Sequence, residues 1–394
     1  MKGRVLIVNK FYYRRGGDCV YALNLESMLA SRGHEVAVFS MHSDCNLPSV
    51  WSKYFAANVS FDGTFAEKIR GLWRMLGLDD VAARFRSILY DFRPDVVHLN
   101  NIHSYLSPVI AREAHKFGAK VVWTMHDYKL ICPSYTCMRD GRECTECSTS
   151  SSLGVVRHRC LKQSLAASFL GWIEHCRWPA AKMQRWVDAF VCPGEYMKRK
   201  MLEAGFDESK LKVLNNFVDV PPCDGGADEG EYYCYVGRLS EEKGIVTLLE
   251  ASRALPYLLK VAGTGAQADE LKRKYGSDGR VCFLGNVDSR EVFGLLRGAR
   301  LSVMPSECNE NNPLSVIESL MCGTPVVVSD RGGLPELVDD SSGAIFKSGD
   351  VNALREAIDA SWNREWDAES ISANAVKRFS SQGYYDRLMH LYAM

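Results

Sequence analysis

Short apolar runs alternate with longer stretches whose apolar residues recur every three or four positions, and the alternation begins near the first residue. Arg4–Asn9, Glu35–Ser40, Asp95–Leu99, Lys120–Thr124 and Val187–Cys192 read as buried strands. Between them, Asp18–Ser31 places Val20, Leu23, Leu25, Met28 and Leu29 at helical spacing, and Ser107–Phe117 reads as a second helix. Strands separated by helices need crossover connections, so parallel pairing with both sheet faces covered is predicted. After Pro221–Gly230, a polar stretch rich in Gly, Pro and Asp, the rhythm starts again. Tyr232–Val236, Leu258–Ala262, Val281–Leu284, Leu301–Met304 and Thr324–Val328 read as a second set of strands.

The fold class predicted is therefore α/β, with two doubly wound, Rossmann-like domains. The predicted domains are residues 1–216 and 217–379, with an amphipathic segment at 380–394 crossing back to the first. A length of 394 residues fits two cores better than one.

Composition adds a split that the whole-chain balance hides. Net charge is zero, yet residues 1–200 hold 28 Lys/Arg against 18 Asp/Glu, and residues 201–394 hold 20 against 30. A basic first half suits an anionic surface or ligand. The opening residues lack the apolar run of a signal peptide and no stretch is long enough to span a bilayer, so a cytoplasmic protein is expected. Fourteen cysteines in that setting are read as mostly free thiols.

Candidate chemistry gathers where strands end. Pro305 to Ser329 runs from a strand through a polar loop into a helix predicted at Pro313–Met321, with Glu310 on the loop and Glu318 inside the helix. Unpaired N–H groups at that helix start suit a diphosphate. Gly237-Arg238-Leu-Ser-Glu-Glu-Lys243-Gly244 puts two cations on one strand-to-helix loop. Gly16 and Gly17 follow the first strand and let backbone approach a ligand closely. His126 closes the strand at Lys120–Thr124, where an imidazole can meet a reacting hydroxyl. Each feature alone has an ordinary structural reading: solvated acids and cations, a tight turn, a structural histidine. Gly263-Thr-Gly265 imitates a dinucleotide fingerprint, but the acid expected about 20 residues on is missing.

Together, Arg238 with Lys243, Glu310-x7-Glu318, the Gly16-Gly17 turn and His126 resemble glycosyltransferase family 4, retaining enzymes of the GT-B fold. The resemblance covers nearly the whole chain. It implies that Arg238 and Lys243 hold the donor diphosphate, that Glu318 binds the ribose, and that Glu310 lies by the transferred sugar. It implies that Gly17 supports the phosphates and His126 stands at the junction of sugar and acceptor. Asn311, Asn312, Pro313, Leu314 and Glu318 join Gly16, Gly17, Arg238 and Lys243 as donor-binding residues, with His126, Glu310, Arg238 and Lys243 as the catalytic set. Asn311 and Asn312 stand where the family often has an aromatic and a glycine. The expected reaction is retaining transfer from a nucleotide sugar, UDP-linked by preference, to a glycan or lipid-linked acceptor in surface polysaccharide assembly. No cofactor is expected to be needed. A GT-B sugar-nucleotide epimerase and a non-catalytic sugar- or nucleotide-binding module are the other readings.

Two further patterns stand outside that constellation. Cys132, Cys137, Cys144, Cys147 and Cys160 include a Cys-x2-Cys knuckle, making a structural zinc site a candidate beside plain reduced thiols. Residues 65–85 and 157–200 interleave cations with Trp, Phe and Leu, which suits a helix lying on an anionic membrane. Ordinary packing helices look similar. Peripheral contact with the inner membrane face is the expectation, and nucleic acid is not expected as a partner.

Overall fold

The computed structural model describes residues 2–61, 63–221 and 230–393. The chain divides into two compact units, Met1–Leu214 with Tyr385–Met394, and Asn215–Tyr384. Most of the stretch read as a linker, 222–229, lies outside the described residues.

The first unit is built on β1 (Arg4–Val8), β2 (Glu35–Phe39), β3 (Val96–Leu99) and β4 (Lys120–Thr124). A small antiparallel hairpin follows, β5 (Met138–Arg139) and β6 (Arg142–Glu143), then β7 (Ala189–Cys192) and β8 (Leu211–Val213). The main sheet has the order β2-β1-β3-β4-β7-β8, with every pairing parallel. Every residue of β3 and β7 is buried, as are all but the first of β1 and β4, because helices cover both faces. Phe39, Phe85, Trp123 and Phe190 lie in the core those layers enclose.

The second unit repeats the plan with β9 (Tyr232–Val236), β10 (Leu258–Ala262), β11 (Val281–Gly285), β12 (Leu301–Met304), β13 (Val326–Ser329) and β14 (Gly343–Phe346). Its order is β11-β10-β9-β12-β13-β14, again all parallel. The last helix, Ser381–Ala393, begins in the second unit, and from Tyr385 it belongs to the first.

Each strand order contains one reversal: between β1 and β3 in the first sheet, and between β9 and β12 in the second. Loops leaving the carboxyl ends of two such strands diverge to opposite faces of the sheet and leave a crevice between them, the usual ligand position in open α/β sheets.

Candidate active site

In the second unit the reversal brings together the loop after β9, carrying Arg238 and Lys243, and the loop after β12, carrying Ser306 to Asn312. Gly244 makes the approach feasible. Its φ is +66°, and a Cβ there would collide with the Pro305 carbonyl. The Glu307 and Cys308 amides both donate to the Glu242 carbonyl, at 3.0 and 3.2 Å. The backbone frame is thus cross-linked before any charged side chain is considered.

Inside that frame the Lys243 ammonium donates to Glu310 Oε1 at 2.5 Å, and the Ser306 hydroxyl donates to the same oxygen at 2.6 Å. Burial works against both charges. For Lys243 the carboxylate outweighs burial and the ammonium is held above its ordinary value. For Glu310, Lys243 together with the Ser306 and Cys308 donors outweighs burial and holds the carboxyl below its ordinary range. Lys243 and Glu310, two of the residues picked out by spacing, therefore form one charged unit.

Arg238 stands apart from it. Its side chain is 63% exposed and bonded to Glu242 at 2.7 Å. The Arg238 carbonyl accepts from the Tyr235 hydroxyl at 2.8 Å, which fixes the backbone while the guanidinium reaches into solvent. Pro313 is the N-cap of the helix Leu314–Met321, one residue outside the predicted start. Asn312 is buried and ties the loop down, its Oδ1 accepting from the Asn216 amide at 2.7 Å. Gly333 N–H donates to the Glu310 carbonyl at 2.6 Å. Asn311, Leu314 and Glu318 are half-buried around the same helix start. The turn at Gly263–Gly265, the dinucleotide lookalike, packs on the loop after β9: the Leu239 amide donates to the Thr264 carbonyl at 2.9 Å.

In the first unit the carboxyl ends of β1, β3 and β4 gather a second polar group. His126 follows β4, and its Nε2 pairs with Asn100 Oδ1 at 2.9 Å. The Tyr21 ring stands edge-on at 4.8 Å. Desolvation pushes the His126 imidazole down to about 4, against the pull of Asp18, so the ring is neutral near pH 7. Asp18 accepts from the Asn101 amide at 2.8 Å and faces Lys10 at 3.9 Å. Burial raises the Asp18 carboxyl, but Lys10, His126 and Asn101 together hold it below its ordinary value. Gly16 caps the helix Gly17–Ser31, and a Cβ built on Gly17 meets nothing within 4 Å. The helix start is open on that side, so a ligand can approach the backbone there.

Lys10, Asn100, Asn101, Ser306 and Thr247, whose hydroxyl bonds Glu307 at 2.6 Å, were not singled out from the sequence. Their signal was position: Lys10, Asn100, Asn101 and Ser306 lie within two residues of the carboxyl ends of β1, β3 and β12, at the reversals.

Among the described residues no group of three or more His, Cys, Asp or Glu side chains is placed to hold a metal ion. Cys132 and Cys137 are buried, whereas Cys144, Cys147 and Cys160 are only half-buried. The thiols have found protein partners: Cys132 pairs with Ser134 at 3.1 Å and with Cys137, and Cys147 points at the Ser152 carbonyl at 3.9 Å. The five thiols do lie near one another: beside burial, Cys132 and Cys144 both push up the thiols of Cys137, Cys147 and Cys160. Among the described residues no helix is long and apolar enough to cross a membrane.

Two nucleotide-fold sheets, each with a polar crevice at its reversal, define the GT-B class. The profile for Glycosyltransferase Family 4 matches residues 15–221 and that for Glycosyl transferases group 1 matches residues 225–378. The chain belongs to glycosyltransferase family 4. It is 26% identical over 351 residues to an uncharacterized 42.6 kDa protein in the cps region of Klebsiella pneumoniae, covering 84% of this chain and 87% of that one. It is 29% identical over 291 residues to the O-antigen chain mannosyltransferase B of Escherichia coli, covering 70% of each. Among solved structures it resembles Anabaena HepE in complex with UDP and glucose, with a TM-score of 0.68, 16% identity and 99% of both chains covered.

Proposed function

We propose that the protein moves a sugar from a UDP-sugar, with retention at the anomeric carbon, onto a hydroxyl of a glycan or lipid-linked oligosaccharide in surface polysaccharide assembly. The observation that carries this reading is the Lys243–Glu310–Ser306 unit at the β9/β12 reversal, with Arg238 exposed on the loop that carries Lys243.

In this reading Arg238 and Lys243 take the donor diphosphate, and the helix start at Pro313 and Leu314 adds backbone N–H groups with a positive dipole end. Charge that develops on the leaving diphosphate then meets fixed cations and needs no rearrangement of solvent. Glu310, ionised because Lys243 faces it, positions Lys243 and offers its second oxygen to the sugar. Asn311 and Asn312 shape the loop beside the sugar, and Glu318 takes the ribose hydroxyls. In the first unit, neutral His126, its Nε2–H held by Asn100 Oδ1, accepts a hydrogen bond at Nδ1 from the sugar or acceptor hydroxyl, and Gly16 and Gly17 leave backbone open to the phosphates. The acceptor oxygen attacks the anomeric carbon on the leaving-group face as the bond to diphosphate breaks, and its proton passes to a diphosphate oxygen. No resident metal is assigned a step. UDP in the HepE complex supports the choice of base, and the E. coli O-antigen enzyme supports the polysaccharide setting.

The test uses thermal shift against UDP-, GDP- and ADP-sugars to choose a donor, since a bound ligand adds RT ln(1 + [L]/Kd) to stability. The anomeric configuration of the product is then read by proton NMR. Stabilisation by a UDP-sugar and an α-linked product from an α-linked donor are expected. An inverted product, or release of an altered sugar without a glycosidic bond, overturns the reading.

A further inference from the structure

Two helices of the first unit turn apolar side chains outward. The helix Phe65–Met75 starts at Thr64 with a complete capping box and buries Gly71, Arg74 and Met75. On its other side Phe65, Ile69 and Trp73 are 80, 39 and 51% exposed. Steps of four residues place them in one stripe along the helix. The helix Leu165–Arg177 behaves alike: it buries Ser168, Gly171 and Glu174, while Leu165 and Phe169 are 55 and 47% exposed. The two helices are tied at their ends, where the Trp178 indole donates to the Met75 carbonyl at 2.8 Å.

Cations predominate around these stripes. Lys68 and Arg70 are exposed on the first helix, and Arg157, Arg159 and Lys162 are exposed on the segment leading into the second. The nearby acids are engaged: Glu67 in the capping box with Thr64, Asp79 by Arg74, and Asp80 by Arg84. We propose that these stripes are the face by which the first unit rests on an anionic lipid bilayer, with the apolar side chains at the acyl boundary and the cations at the headgroups. A twofold contact of the stripe with its own copy would set Lys68 and Arg70 near their counterparts, which disfavours a dimer as the occupant. A bilayer supplies both an apolar layer and the counter-charge.

The inference takes its purpose from the proposed lipid-linked acceptor, but its test needs neither donor nor acceptor. The purified chain is sedimented with vesicles of phosphatidylcholine alone, or with about one-third phosphatidylglycerol, at low and high salt. Pelleting with the anionic vesicles only, and release as the Debye length shrinks to about 3 Å at 1 M salt, are expected. The F65S/W73S variant should lose about tenfold or more in partitioning. K68Q and R70Q should each lose about fivefold. All these positions are exposed, so an unchanged circular-dichroism melt checks folding. Failure of the wild type to pellet at low salt overturns the inference, as does equal pelleting of F65S/W73S. Conversion of a wild-type dimer to a monomer by that variant, seen by light scattering, assigns the face to a second copy and also overturns it. Transfer to a short, water-soluble acceptor should be the same in F65S/W73S and wild type. Loss of that reaction in both would sink the proposed activity and leave the membrane result standing.

Discussion

Removing Lys243 while keeping Glu310 would leave a carboxylate facing no cation in a pocket that exposes only 11% of its side chain. Breaking a buried ion pair from one side costs about 3–5 kcal/mol. The lower end applies to Lys243→Met, because 21% of the lysine side chain is exposed and Ser306 still donates to Glu310. A loss of about 3 kcal/mol is expected. Glu310→Gln keeps an acceptor for both donors and should cost about 1–2 kcal/mol. The double variant holds no unpaired carboxylate, so it should lose less than the two singles together, with a coupling of about 2 kcal/mol. Urea unfolding of all four proteins with a common m-value measures the cycle. The acid limb adds a signature. Glu310 is held below its ordinary value, so the stability it contributes is present above the unfolded carboxyl pKa of about 4.3 and is lost as pH falls through the lower folded value. Lys243→Met should flatten that limb. It should also shrink the thermal shift produced by UDP, because the same ammonium is assigned to the diphosphate. A coupling under about 0.5 kcal/mol, with the acid limb unchanged, would show that the two groups do not share a folded-state charge pair, and the donor-site argument would fall with it.

Arg238→Ala should separate affinity from stability. The side chain is mostly exposed and its pair with Glu242 is a surface one, so stability should change by under about 0.5 kcal/mol. UDP affinity measured by calorimetry should fall by about tenfold or more, since a charge-assisted phosphate contact is lost. Gly244→Ala should lower stability by about 1–2 kcal/mol or more, from the left-handed backbone alone. The clash with Pro305 should add to this, and donor binding should fail in parallel, which unfolding and thermal shift will show. His98 is fully buried, bonded to Tyr392 at 2.6 Å and Thr124 at 2.7 Å, and desolvation lowers its pKa to about 3. Between about 6.5 and about 3 the unfolded chain therefore holds a proton that folded His98 refuses, so stability falls as pH drops through that window. Urea midpoints across the window should decline less steeply in His98→Asn. Tyr392→Phe should cost about 1 kcal/mol and raise hydrogen exchange in the last helix.

What the sequence disclosed follows from how each segment is buried. Lys120–Thr124, Tyr232–Val236, Leu258–Ala262 and Leu301–Met304 are strands at the limits read from their apolar runs, because central parallel strands are enclosed on both faces. β8 and β14 escaped notice. Both are edge strands, three and four residues long, and half of their side chains or more are not fully buried, so no continuous apolar run marks them. The charged residues divide in the same way. Arg238, Lys243 and Glu310 were picked out by spacing on two loops, but spacing cannot say that Lys243 turns inward to Glu310 while Arg238 turns outward to Glu242. Gly244, just after Lys243, has a left-handed backbone that sets the first loop against the Pro305 carbonyl, and the sequence does not show that approach. The cysteines show the converse. Their spacing suggested a metal knuckle, but it could not show that the hairpin Met138–Glu143 and the neighbouring turns bury Cys132 and Cys137 and leave Cys144, Cys147 and Cys160 half-buried. Side-chain direction is set by the local turn, and strand-end position is the better guide to chemistry here. Lys10, Asn100, Asn101 and Ser306 bear no motif, yet all lie at the carboxyl ends flanking the two reversals, where strand order alone opens a crevice.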